Sequence, residues 1–107
     1  MTINETAHAI HDWAKRKGWW DTERNTGELI ALAHSELSEA LEDYREGKMD
    51  TYLDANNKPC GFPSELADCM IRIMDTAIAF GVNLEHEIEQ KMAYNEKRPY
   101  RHGNKVA

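Results

Sequence analysis

Between Pro63 and Gly81 the apolar residues Leu66, Met70, Ile71, Ile73, Met74, Ala77, Ile78 and Phe80 cover close to half of a helix's circumference. So wide an arc predicts a helix touched from two sides. A second stripe at helical spacing, Leu29, Ile30, Ala33, Leu37, Ala40, Leu41 and Tyr44, runs toward Gly47, and Asn25 or Thr26 can cap its start. Two shorter helices are expected on either side of this pair. The first begins at Thr2, which can form a capping box with Glu5, carries Ile3, Ala7, Ile10, Trp13 and Ala14 on one side, and stops at Gly18. The fourth is capped by Asn83, has Glu85 and Glu87 near its start and Lys91 and Lys97 later, and ends before Pro99. No β-alternating run of useful length and no internal repeat appears. The expected fold is all-α, a single four-helix bundle-like domain over residues 1–107, with a tail from about residue 100 that is flexible or folds over the site.

A chain of 107 residues buries only about 60–65% of its extended surface on folding, so a partner subunit would help it. We therefore expect a homo-oligomer, dimer or tetramer. The formal charge of −6 argues against a nucleic-acid duplex or an anionic membrane as the main ligand. No stretch has the length and apolarity of a membrane span, and the N-terminal residues lack the basic leader and apolar run of a signal peptide. Cys60 and Cys69 are too few for a disulfide framework, which fits a reducing, cytoplasmic setting. Between the second and third helices lies a long connection, roughly residues 47–63, containing Asn56-Asn57-Lys58-Pro59 and Gly61-Phe62-Pro63. It is either an unconstrained surface excursion or a structured functional loop.

The chemistry is carried by two acid pairs, Glu36-Leu-Ser-Glu39 and Glu65-Leu-Ala-Asp68. Three-residue spacing stacks both carboxylates of a pair on one helix face. At 100° per residue Glu36 borders the apolar stripe of its helix, whereas Glu65, Asp68, Arg72 and Asp75 fall on the narrow polar side of the third helix. If those faces meet, four carboxylates converge; at ~5 Å and an effective dielectric of ~20 each pair repels by roughly 3 kcal/mol, so the cluster calls for a cation. Oxygen-only ligands select a hard ion, Mg²⁺ or Mn²⁺. Ordinary solvated surface charge is the other reading of the same residues.

These residues resemble the MazG-like all-α nucleoside triphosphate pyrophosphohydrolases, relatives of the dimeric dUTPases. The shared pattern is Glu-x-x-Glu, a spacer, Glu-x-x-Asp, and then a helix bearing Lys…Asn…Arg. Here it reads Glu36-Leu-Ser-Glu39, Glu65-Leu-Ala-Asp68 and Lys91…Asn95…Arg98, and the fit extends from about Ile10 to Gly103. One departure is that family members often carry a further acid directly before each pair, where this chain has Ser35 and Ser64. The resemblance implies hydrolysis of a (deoxy)nucleoside triphosphate to the monophosphate and pyrophosphate, with Mg²⁺ held by Glu36, Glu39, Glu65 and Asp68. Either Glu36 or Glu39 would accept the proton of the attacking water. Lys91, Asn95 and Arg98 share a helix face and would grip phosphate oxygens, although Lys91 and Arg98 also suit the end of a helix dipole. Arg72 can pair with Asp68 or Asp75 or reach the substrate. In the family the segment before the second helix helps to form the nucleoside pocket, which makes Trp20 and His11 candidates; aromatic pairs such as Trp19-Trp20 also serve as core or interface. His11 and His8 lie off the apolar face of the first helix and are expected near solvent.

Two rivals use the same pattern differently. A non-enzymatic helical module would dimerise through the broad third helix and carry the acids as surface charge. A di-metal oxygen-activating bundle would need Glu-x-x-His on two helices, and only Glu5-Thr-Ala-His8 offers it.

Overall fold

The structure, a computed structural model, describes residues 1–100; the expected tail behaviour falls almost entirely outside them. Four helices dominate: α1 (Ile3–Arg16), α2 (Thr26–Arg45), α3 (Phe62–Ala79) and α4 (Leu84–Glu96). The capping box forms, with Glu5 N–H donating to Thr2 Oγ1 at 3.0 Å and Thr2 N–H to Glu5 Oε1 at 2.9 Å. Asn25 rather than Thr26 caps α2, accepting from Glu28 N–H, and Asn83 caps α4, accepting from His86 N–H. α3 starts at Phe62, ahead of Pro63, which occupies the first turn where its missing N–H costs nothing.

As the wide apolar arc predicts, α3 is packed on two sides, by α2 and by α1. Apart from Leu29, the buried apolar core is made of small residues: Ala7 and Ala14 of α1, Ala40 of α2, and Cys69 and Ala77 of α3. Such residues let the helix axes approach closely, but they remove little apolar area from water. No large side chain among the described residues is fully buried. Four of the seven residues of the α2 stripe expected in the core lie open instead, Ile30, Leu37, Leu41 and Tyr44, and so do Leu66, Met70 and Ile73 of α3. The radius of gyration is 16.4 Å, against about 13 Å for a compact domain of this length.

α4 adds nothing to the buried core, and its main packing is against α1. The join is polar: Asn4 Nδ2 donates to Asn83 Oδ1 at 2.8 Å, Glu85 N–H to Asn4 Oδ1 at 3.2 Å, and Ile3 N–H to Glu85 Oε1 at 2.9 Å. Two helix N-termini thus share one set of side-chain partners, with Glu85 neutralising free N–H groups of α1.

The long connection is structured. A two-residue antiparallel ladder, β1 (Tyr52–Leu53) with β2 (Pro59–Cys60), closes a hairpin that sequence periodicity is too short to reveal. Its turn is held by Asp54 Oδ1, which accepts from Asn56 N–H at 2.7 Å and Lys58 N–H at 3.0 Å, and Asn57 adopts φ 61°. Such Asx geometry is what Asp and Asn supply cheaply. Gly61, at φ 103°, then passes so close to the backbone of Asp50 that no side chain fits there. No helix of the described residues is long and apolar enough to cross a membrane.

Candidate metal centre

The packing of α2 on α3 brings one carboxylate oxygen from each of Glu36, Glu65 and Asp68 within 4.8 Å of one another. Glu36 sits at the buried edge of the α2 stripe and is only 7% exposed. Its Oε1 accepts from Arg72 Nε at 2.8 Å, so Arg72 pairs with neither of its expected partners on α3 but reaches across to α2. This charge-assisted bond gives the buried carboxylate a partner of opposite charge. Glu39, one turn on and exposed, stands within hydrogen-bond reach of Glu65.

Glu65 shows what the cluster lacks. Its Oε2 is buried with no hydrogen-bond partner, and the groups around it are the carboxylates of Glu39, Glu36 and Asp68. Two carboxylates can share a hydrogen bond only through a proton, so either a proton or a cation must stand between them. Burial first, then the hydrogen bond and charge of Glu39, the hydrogen bond of Glu36 and the charge of Asp68, push the Glu65 carboxyl up to about 7. Asp68 is raised too, by burial and then by the charge of Glu36, with Lys58 and Arg72 pulling it back. Lys58 comes from the hairpin turn, so the long connection lends a cation to the rim of the site.

The donor set suits a hard divalent ion. It contains oxygen only, with no histidine or cysteine in the group, and three or four carboxylates leave part of an octahedral shell for other oxygens. Ser35 and Ser64, which stand where acids often precede the pairs, turn to backbone carbonyls: Ser35 Oγ donates to Leu32 O at 2.6 Å and Ser64 Oγ to Pro59 O at 3.1 Å. They add no ligand. Glu5 is spent on its capping box, which disarms the one Glu-x-x-His of the chain.

The other sequence candidates lie apart from the acids. Lys91 and Asn95 are exposed on α4, and the Arg98 guanidinium stacks 5.9 Å from the Tyr94 ring. Because α4 starts beyond the C-terminal end of α3 while Asp68 lies in its first half, roughly 16 Å of helix separates that start from the cluster. His11 and Trp20 meet Asp75 instead: His11 Nδ1 lies 2.7 Å from Asp75 Oδ1, and Trp20 Nε1 donates to both oxygens at 2.9 and 3.0 Å. This corrects one expectation, since His11 is turned inward rather than near solvent, and it meets an Asp75 that is only 2% exposed. Helical phase could not foresee it, because the donors come from α1 and from the turn after Gly18, and with both oxygens satisfied the burial leaves no orphan.

Beside the acids, Trp19, Arg24 and Arg72 line a cleft of ≈ 440 Å³. Arg24 had no role in the sequence pattern. Its place immediately before the α2 cap Asn25 is the one signal that it would face the start of that helix. Comparison with protein-family models, with curated proteins and with solved structures yields no match.

Proposed function

We propose that the chain is a divalent-metal-dependent hydrolase of the MazG-like all-α type, which cleaves (deoxy)nucleoside triphosphates to the monophosphate and pyrophosphate as a homo-oligomer. One observation carries the reading: a buried, donorless Glu65 oxygen faces further carboxylates from two helices. Structural ion pairs do not leave such a group unmatched. Glu36, Glu65 and Asp68, with Glu39 beside them, would hold Mg²⁺ or Mn²⁺, which when bound neutralises the polyphosphate and supplies an activated water.

The residues of the chain divide the remaining work. Glu36 is committed to Arg72; Glu39 is exposed and free of an ion pair among the described residues, so it is the better base for the water's proton. Arg72 keeps its remaining N–H groups for a phosphate or base oxygen, and Lys58 adds positive charge from the hairpin. Within one copy no hydrogen bond or ion pair joins Lys91, Asn95 or Arg98 to the acids among the described residues. In an assembly that covers Leu37, Leu41, Met70 and Ile73, they would approach the acid cluster of a partner. The exposed apolar stripe also suits the purely oligomeric module, but that reading leaves the Glu65 oxygen without a reason.

The deciding assay is pyrophosphate release from the common nucleoside triphosphates in Mg²⁺ or Mn²⁺. We expect release from at least one of them, and Glu39→Gln and Asp68→Asn should each reduce it by 10²-fold or more, on the order expected for loss of a base or metal ligand, while helical content stays unchanged. Unaltered turnover in both variants would exclude the assignment.

A further inference from the structure

We infer that Arg72 is a built-in cation of the acid cluster, taking up both the charge and the Glu36 oxygen that a second divalent ion would need, so that the nucleotide-free chain holds one such ion per copy. The inference rests on the proposed function for the ion itself and on the placement of Arg72 for the count.

Arg72 stands one turn beyond Asp68 on α3, where the shorter reach is along its own helix. It crosses to α2 instead, and its Nε donates to Glu36 Oε1 at 2.8 Å. Glu36 is one of the three residues whose carboxylate oxygens converge, so this cation is bonded into the ligand set itself. The pair is largely withdrawn from water, the Glu36 side chain being 10% and the Arg72 side chain 28% exposed. The Arg72 guanidinium also lies 6.0 Å from the Trp19 ring centroid, and Arg72 lines an apolar groove with Leu37 and Ile73. A guanidinium is weakly hydrated and stacks on aromatic faces, so it suits such a seat better than an ammonium does.

Charge sets the count. Glu36, Glu39, Glu65 and Asp68 bring four formal negative charges once ionised, as metal ligands must be. Two cations already act on them: burial and the charge of Glu36 raise the Asp68 carboxyl, while Lys58 and Arg72 pull it back. One divalent ion cancels what remains, whereas a second would leave uncompensated positive charge in a partly buried site. Geometry agrees with charge. Paired ions about 3.5–4 Å apart share a bridging carboxylate that gives one oxygen to each, and with Oε1 bonded to Arg72 the Glu36 carboxylate has one oxygen left for an ion. A further ion has to arrive with the phosphates of the nucleotide, which bring the negative charge that holds it.

The test counts Mn²⁺ bound by the full chain without nucleotide at about pH 8, above the Glu65 value of about 7, from the loss of the free-ion electron paramagnetic resonance signal. The parent should bind one ion per chain. Arg72→Met, which keeps an apolar side chain in the groove and removes the charge, should bind a second ion about tenfold or more tightly than the parent does, with the broadened signal of a spin-coupled pair. Arg72→Lys restores the charge and should return the count to one. Arg72→Gln takes the place of Arg72→Met if the latter loses helical content. Two tight ions in the parent, no second ion in the folded neutral variant, loss of the first ion in that variant, or two ions in Arg72→Lys would each overturn the inference. The two readings fail separately. A parent that binds one ion and releases no pyrophosphate from any triphosphate removes the hydrolase and keeps the role of Arg72, whereas two ions in an active parent remove that role and keep the hydrolase. A parent that binds no Mn²⁺ removes the metal centre and both readings with it.

Discussion

Glu65 couples the protonation of one side chain to the stability of the whole. Its carboxyl rises from 4.5 to about 7, so the folded chain holds this proton more tightly than the unfolded chain does. In metal-free buffer stability must therefore fall as pH climbs from about 4.5 through about 7 and level off above. Asp68, shifted in the same direction, adds to the loss. If a divalent ion takes the place of the proton, as we propose, the rise in Tm on adding Mg²⁺ should grow with pH across that window. Thermal melts in chelator and in Mg²⁺ at about pH 5 and about pH 8 check both signs; a chelated Tm that is flat or rising with pH would contradict the carboxylate crowding. At this scale the sequence speaks clearly where one helix decides. Three-residue spacing puts Glu65 and Asp68 together whatever else the chain does. It is silent on Arg72 and Glu36, whose pairing depends on how two helices are rotated against each other.

Local rules govern the elements. Thr2, Asn25 and Asn83 cap their helices through bonds within three residues, so these boundaries are readable before any packing is known. The hairpin at 52–60 is not readable in that way, because a two-residue ladder has no period, and its signature is turn chemistry in Asp54 and Asn57. Its far end depends on Gly61, where Phe62 N–H donates to Lys48 O at 3.0 Å and the backbone of Asp50 blocks any Cβ. Gly61→Ala should cost about 2 kcal/mol or more, combining left-handed strain with that collision. Chemical denaturation measures the loss, and a midpoint within error of the parent would mean that the hairpin does not fix the start of α3. If the hairpin shifts, Lys58 shifts with it, and on the proposed hydrolase reading the variant should also bind Mg²⁺-nucleotide more weakly.

For the whole molecule the decisive quantity is apolar surface left in water. Leu37 and Leu41 are about half exposed, at 50% and 48%, and lie one turn apart on α2. Partnering by a second copy is expected to remove them from solvent; Leu41→Glu should then shift the sedimenting species toward monomer and lower Tm. If Lys91, Asn95 and Arg98 serve a partner's acids, two dead proteins can repair each other. Asp68→Asn mixed with Arg98→Ala, unfolded and refolded together, should recover about a quarter of parent activity in a two-fold dimer, since half the pairs are mixed and each holds one intact site. Recovery no greater than either variant alone would return α4 to its own chain. The α4 helix has a further consequence. Thirteen residues long, with none buried, it is near the limit at which a helix holds together unaided. A solitary copy would open there first and present that stretch to proteases, whereas an assembled copy would not. If α4 completes a partner's site, surplus or assembly-defective chains would be culled from a cell by that same helix.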